Sequence, residues 1–206
     1  MVNLKLFLLL LLILTASFCC FAYQMSCSFD NYKWSEASGE KYTCFGKFEE
    51  DFLEEGIDIT NVSGTHSKKM SNADVVAVQI SNQKCVYLPQ ELTKFLPNMR
   101  QLFIYRSDLE FITRSDLKEY SQLKTISFAR NHLLHVPSDA FDDLIDLEFL
   151  SLSFNQLRSM PNLRMQKKLK RLYLFENSID TLTAGDVEDL PNLELLSMYY
   201  NKLKFI

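Results

Sequence analysis

One pattern recurs six times along this chain and leaves few folds open to it. Each copy has an apolar residue at positions 1, 4, 6 and 11 and a polar one at position 9, Asn in four of the six. Leu123, Ile126, Phe128, Asn131 and Leu133 form one copy, and Leu147, Leu150, Leu152, Asn155 and Leu157 the next. Leu169, Leu172, Leu174, Asn177 and Ile179 follow, then Leu193, Leu196, Met198, Asn201 and Leu203. Upstream, Met99, Leu102, Ile104, Ser107 and Leu109 are a looser copy, and Val75, Val78, Ile80, Gln83 and Cys85 a looser one still. The copies start at 75, 99, 123, 147, 169 and 193, so the step is 24 residues with one step of 22. A fixed period of this length is the signature of a stacked repeat array.

The residue types suit that architecture. Alternation at positions 3 to 7 places positions 4 and 6 on one face of a short strand and 3, 5 and 7 on the other. Stacked copies then build a parallel sheet with a continuous apolar ladder inside. Asn at position 9 turns inward where the chain leaves the strand, and its amide can pair backbone groups that would otherwise be buried alone. Position 14 is apolar throughout (Leu88, Ile112, Val136, Met160, Leu182, Ile206), and Pro89, Pro137 and Pro161 follow it in three copies. Proline there predicts an outer side made of turns and short helical pieces. No single copy can bury its apolar side, so the array stands only as a stack.

In these positions the chain resembles the leucine-rich-repeat superfamily in its extracellular, 24-residue form, over residues 75–206. The resemblance implies an α/β fold, a right-handed β-α superhelix with a parallel concave sheet and a convex side of short helices and turns. Residues 23–74, with Cys27-x-Phe29, Trp34, Tyr42-Thr43-Cys44, Gly64-x-His66 and Ser71-Asn72-Ala73-Asp74-Val75, resemble the N-terminal cap of secreted proteins of this kind from flies and mosquitoes. Pairing of 41–49 with 56–66 in a hairpin is expected there, stapled by Cys27–Cys44.

Residues 1–22 read as a signal peptide: Lys5 in a short basic start, an unbroken apolar run from Leu6 to Ile13, then Cys20-Phe21-Ala22 as a cleavage site. That run is shorter than the ~20 residues needed to span a bilayer. No later segment is apolar enough to do so, which predicts a secreted chain or, alternatively, one at the cell surface. Cys27 and Cys44, in a polar segment, suit a disulfide in an oxidising compartment, while Cys85 takes the inward position 11 of the first copy. Asn61-Val62-Ser63 is a glycosylation sequon. The chain stops at Ile206, position 14 of the sixth copy, without the cysteine-rich closing cap that extracellular members of the family often carry. A fragment is the favoured reading, with self-association through an uncapped C-terminal end as a second one.

Positions 3, 5, 7 and 8 face outward on the concave sheet and are free of the packing rule. There the chain puts Phe103, Tyr105, Phe149, Phe154, Tyr173, Phe175, Tyr199 and Tyr200, with Arg106, Arg130 and Arg171 among them. Aromatics with arginines are the composition of interface hot spots, although aromatics also favour strands for their own sake. Six strands at ~4.8 Å are about 24 Å wide, enough for a standard protein interface. His132 and His135 lack further ligands for a metal site, and no phosphate loop, nucleophile elbow or His-Glu-x-x-His occurs. A formal net charge of −4 without a Lys/Arg cluster gives no purchase on nucleic acid. The sequence therefore predicts a protein-binding module in adhesion, signalling or innate defence, with no cofactor and no catalytic site. The alternative is an extracellular-matrix scaffold that self-associates.

Overall fold

The computed structural model describes residues 23–33, 39–49, 58–67 and 69–204. The leader at 1–22, Trp34 and Ile206 lie outside the described residues.

Among the described residues, nine strands form one sheet: β1 (Tyr23–Lys33), β2 (Glu40–Phe48), β3 (Ile59–Ser63), β4 (Ala77–Ser81), β5 (Gln101–Tyr105), β6 (Thr125–Ser127), β7 (Phe149–Ser151), β8 (Arg171–Tyr173) and β9 (Leu195–Ser197). Their order is β3-β1-β2-β4-β5-β6-β7-β8-β9. From β4 to β9 every strand begins at position 3 of its copy and runs parallel to its neighbours. Position 4 stands opposite position 4 throughout, in the register Val78, Leu102, Ile126, Leu150, Leu172, Leu196. Of these, the first five are fully buried, as are Ile80, Ile104, Phe128, Leu152 and Leu174 at position 6. The architecture is a leucine-rich-repeat solenoid of α/β type.

Asparagine at position 9 stitches successive copies. Asn155 accepts from the Leu133 N–H at 3.0 Å and donates to the carbonyls of Phe128 (2.9 Å) and Leu152 (3.0 Å). Asn131, Asn177 and Asn201 make the equivalent bonds one copy earlier or later. Gln83 fills this position in copy one, where the neighbour is β2. Its longer amide donates to the Gly46 carbonyl and accepts from the Phe48 N–H, both at 2.7 Å.

The convex side divides according to position 15. Copies with proline there turn without a capped helix at that point. Copies two and five carry Thr113 and Thr183 instead, each followed three residues on by aspartate. Asp116 Oδ2 accepts the Thr113 N–H at 2.8 Å, and Asp186 Oδ2 the Thr183 N–H at 2.6 Å. A further one-turn helix, α1 (Leu92–Phe95), lies in copy one. Thr113 is the N-cap of α2 (Arg114–Lys118) in a capping box, whereas the Thr183–Asp186 pair lies just ahead of α3 (Gly185–Glu188), whose N-cap is Ala184.

The cap differs from the expected hairpin. Residues 40–48 pair antiparallel with β1, not with 56–66, while β3 lies parallel on the far side of β1. Met25, Cys27 and Phe29 bury every second side chain of β1 and complete the inner face that Tyr42, Cys44 and Phe48 begin on β2. Cys27 and Cys44 form a disulfide across this pair, with Cα atoms 5.2 Å apart. By loop entropy it is worth ~3 kcal/mol. Because β2 also pairs with β4, placing Cys44 opposite Val78, the cap extends the array's sheet instead of covering it from outside. Gly64 has a φ of +146°, and a Cβ there would run into the Cys27 carbonyl and the Phe29 ring. Next to it His66 stacks on Phe29 at 3.9 Å and bonds Tyr42 and Asn72. Cys85 is buried, and desolvation pushes its thiol up to about 12, so it behaves as a small apolar side chain.

Candidate binding face

The outward positions of copies four to six carry a connected set of rings. Phe149 and Tyr173 lie 5.4 Å apart, Tyr173 and Phe175 6.3 Å, Phe154 and Phe175 5.1 Å. Phe175 stacks on Tyr199 at 4.5 Å, and Tyr199 meets Tyr200 edge-on at 5.2 Å. Parallel pairing at ~4.8 Å brings position 7 of successive copies together, Phe175 on Tyr199, while the other contacts run within a copy or diagonally between neighbouring copies. Small neighbours leave the space: Ser151 and Ser153 occupy positions 5 and 7 of copy four. Tyr199 and Tyr200 are 56% and 72% exposed, while the other rings of this cluster are half-buried.

The arginines lie on rings. Arg130 places its guanidinium 3.7 Å from the Phe154 centroid, and Arg171 is 5.5 Å from Phe149, its register partner across β7 and β8. Arg106 is 5.5 Å from the ring of Tyr105, away from the main cluster. Phe103 is the exception among the residues singled out from sequence. It is only 8% exposed, so it offers little to a ligand. Leu195, 38% exposed at position 3 of copy six and opposite Arg171, extends the apolar patch. A search for aromatics passes over it, although its position made it legible.

Position 8 holds a feature that sequence reading missed. Asn82, Arg106, Arg130, Phe154, Glu176 and Tyr200 all have φ between 51° and 58°, the left-handed region. Asparagine visits it readily, whereas a bulky ring there costs on the order of 1 kcal/mol. The same turn recurs in all six copies whatever residue fills it, so it belongs to the repeat. Tyr200→Asn is expected to raise the melting temperature by ~2–4 °C. A fall in melting temperature, read by circular dichroism, would show that the ring's packing outweighs the strain.

His132 lies 3.5 Å from Asp108, a lone pair on the turn. Among the described residues no group of three His, Cys, Asp or Glu side chains is placed to hold a metal, and no helix is long and apolar enough to cross a membrane.

Fold and ladder define the class, and comparison with known proteins agrees. Residues 97–157 match the leucine rich repeat family model. The chain is 30% identical over 107 residues to a probable glycoprotein hormone G-protein coupled receptor of Anthopleura elegantissima, covering 52% of this chain and 11% of that protein. It is 28% identical over 132 residues to human podocan-like protein 1, covering 58% and 25%. Thus it spans about a tenth and a quarter of these relatives. Among solved structures, internalin C2 of Listeria monocytogenes superimposes with a TM-score of 0.54 at 18% identity, over 72% of this chain and 62% of that one. Internalin InlF gives 0.51 at 18% identity, over 72% and 50%.

Proposed function

We propose that this chain is an extracellular or cell-surface recognition module that holds a protein ligand on its concave face. The carrying observation is the connected cluster from Phe149 to Tyr200, with its rings on a rigid sheet and turned away from the leucine ladder. Rings locked by their neighbours lose little entropy on binding, which favours them as anchors. The leader-like start, the Cys27–Cys44 disulfide and an exposed Asn61 on edge strand β3, where a glycan would find room, support the extracellular placement. So does the likeness of the cap residues to secreted dipteran proteins.

The test is capture of a discrete partner from extracellular fluid, followed by affinity measurement on variants. Tyr173→Ala and Phe149→Ala should each weaken binding by about 2 kcal/mol or more, roughly 30-fold. Lys167→Ala, on the convex side, should leave it unchanged. Should the ring variants bind normally yet melt as early as Leu172→Ala, the stripe is structural. Concentration-dependent self-assembly with no discrete partner would favour the scaffold role instead.

A further inference from the structure

We propose that the concave face takes an acidic segment of protein chain, its carboxylates held by Arg106, Arg130 and Arg171 and its apolar side chains laid on the rings between them. The proposal rests on the reading of this face as a binding surface and adds the chemistry of what binds.

Several cations on the flanks of the array are matched within the molecule. Lys124 and Lys170 flank Glu148 at 3.3 and 2.8 Å, and the bond from Lys170 leads in holding that carboxyl below the usual range. Lys168 meets Asp146 at 2.5 Å, Arg114 meets Asp143 at 2.9 Å, Lys167 meets Asp189 at 2.7 Å and Lys204 meets Asp180 at 3.1 Å. Among the described residues, Arg106, Arg130 and Arg171 have no carboxylate partner, although the chain as a whole carries a net charge of −4. The concave positions of the six copies hold these three arginines and one acid, Glu176, a local excess of two positive charges (3 − 1) on an acidic protein.

Arg130, 3.7 Å from the Phe154 centroid, shows how an unpaired guanidinium is held ready. A ring under the guanidinium plane fixes its orientation without using the N–H donors around its rim, which remain free for bidentate bonds to a carboxylate. Arg130 at position 8 of copy three and Arg171 at position 3 of copy five frame the Phe149, Phe154, Tyr173 and Phe175 rings diagonally. Two strand spacings across and five residues along give roughly 19 Å, about six residues of extended chain. The face thus fits an extended segment with carboxylates near both ends and apolar or aromatic side chains between.

A random copolymer of glutamate and tyrosine is the probe, with a lysine–tyrosine copolymer of the same length as its counterpart. The intact chain should bind the first and not the second. R130Q/R171Q should weaken that binding by about tenfold or more and flatten its dependence on salt, with an unchanged melting temperature. Failure of the intact chain to bind the acidic copolymer, or unchanged binding by R130Q/R171Q, overturns the proposal. If Tyr173→Ala weakens copolymer binding while R130Q/R171Q does not, the concave site stands and its acidic preference falls. If neither change matters, the concave reading falls with it. Heparin captured through the same arginines in place of the copolymer would make the occupant an anionic polysaccharide, which also overturns the proposal.

Discussion

Leu150→Ala is expected to destabilise the array by about 2–5 kcal/mol. Leu150 is fully buried, and its register partners Ile126 and Leu172 are fully buried on either side. Cutting its isobutyl group back to a methyl leaves a hole between two rungs that the backbone ladder prevents from closing. Leu134, 56% exposed, provides the contrast, and its replacement by alanine should change stability by no more than about 0.5 kcal/mol. Urea unfolding of both variants checks this. Similar midpoints would mean that the inward ladder is not the core.

Asn155→Ala should be nearly as costly without opening a large cavity. It strands the Leu133 N–H and removes a donor from the Phe128 and Leu152 carbonyls, all in the interior. An unsatisfied buried group costs about 1–3 kcal/mol, which falls on the Leu133 N–H, while the carbonyls lose less because Asn131 still donates to Phe128 and Asn177 to Leu152. A total of roughly 3 kcal/mol follows, together with faster exchange of the Leu133 amide by NMR. Asn155→Asp should rescue that amide's protection in part, because it keeps the acceptor, while still losing the two donated bonds. Unaltered exchange in the alanine variant would show that water takes the place of the side chain.

The repeat was legible because a fixed period carries register with it. Once positions 4 and 6 of each copy are set inward, as Ile126 and Phe128 are in copy three, the start of every strand at position 3 and the bonds of every Asn follow. Strand choice in the cap was harder, since period-2 alternation shows that a segment is a strand but not which strand it joins. The Cys27–Cys44 bridge narrowed the choice, as it requires the two Cα atoms to lie within about 7 Å of each other. The left-handed turn at position 8 left little trace because only Asn82 has the residue type that advertises it. Phe103 occupies an outward position yet is largely covered, and no periodicity distinguishes it from half-buried Tyr173.

The sheet also has a direction in time. Pairing of β1 with β2 sets Lys33 against Glu40, whereas each pairing from β4 to β9 joins strands 22 or 24 residues apart. Local pairing closes fastest, so the hairpin forms first, and its β2 edge then offers the seat onto which Val78 docks. A chain synthesised from its N-terminus thus carries a finished edge before its first repeat is complete, and each new copy lays down on the one before. Order of assembly then follows order of synthesis. A lesion in the hairpin delays every copy behind it, whereas one in a later copy leaves those before it untouched.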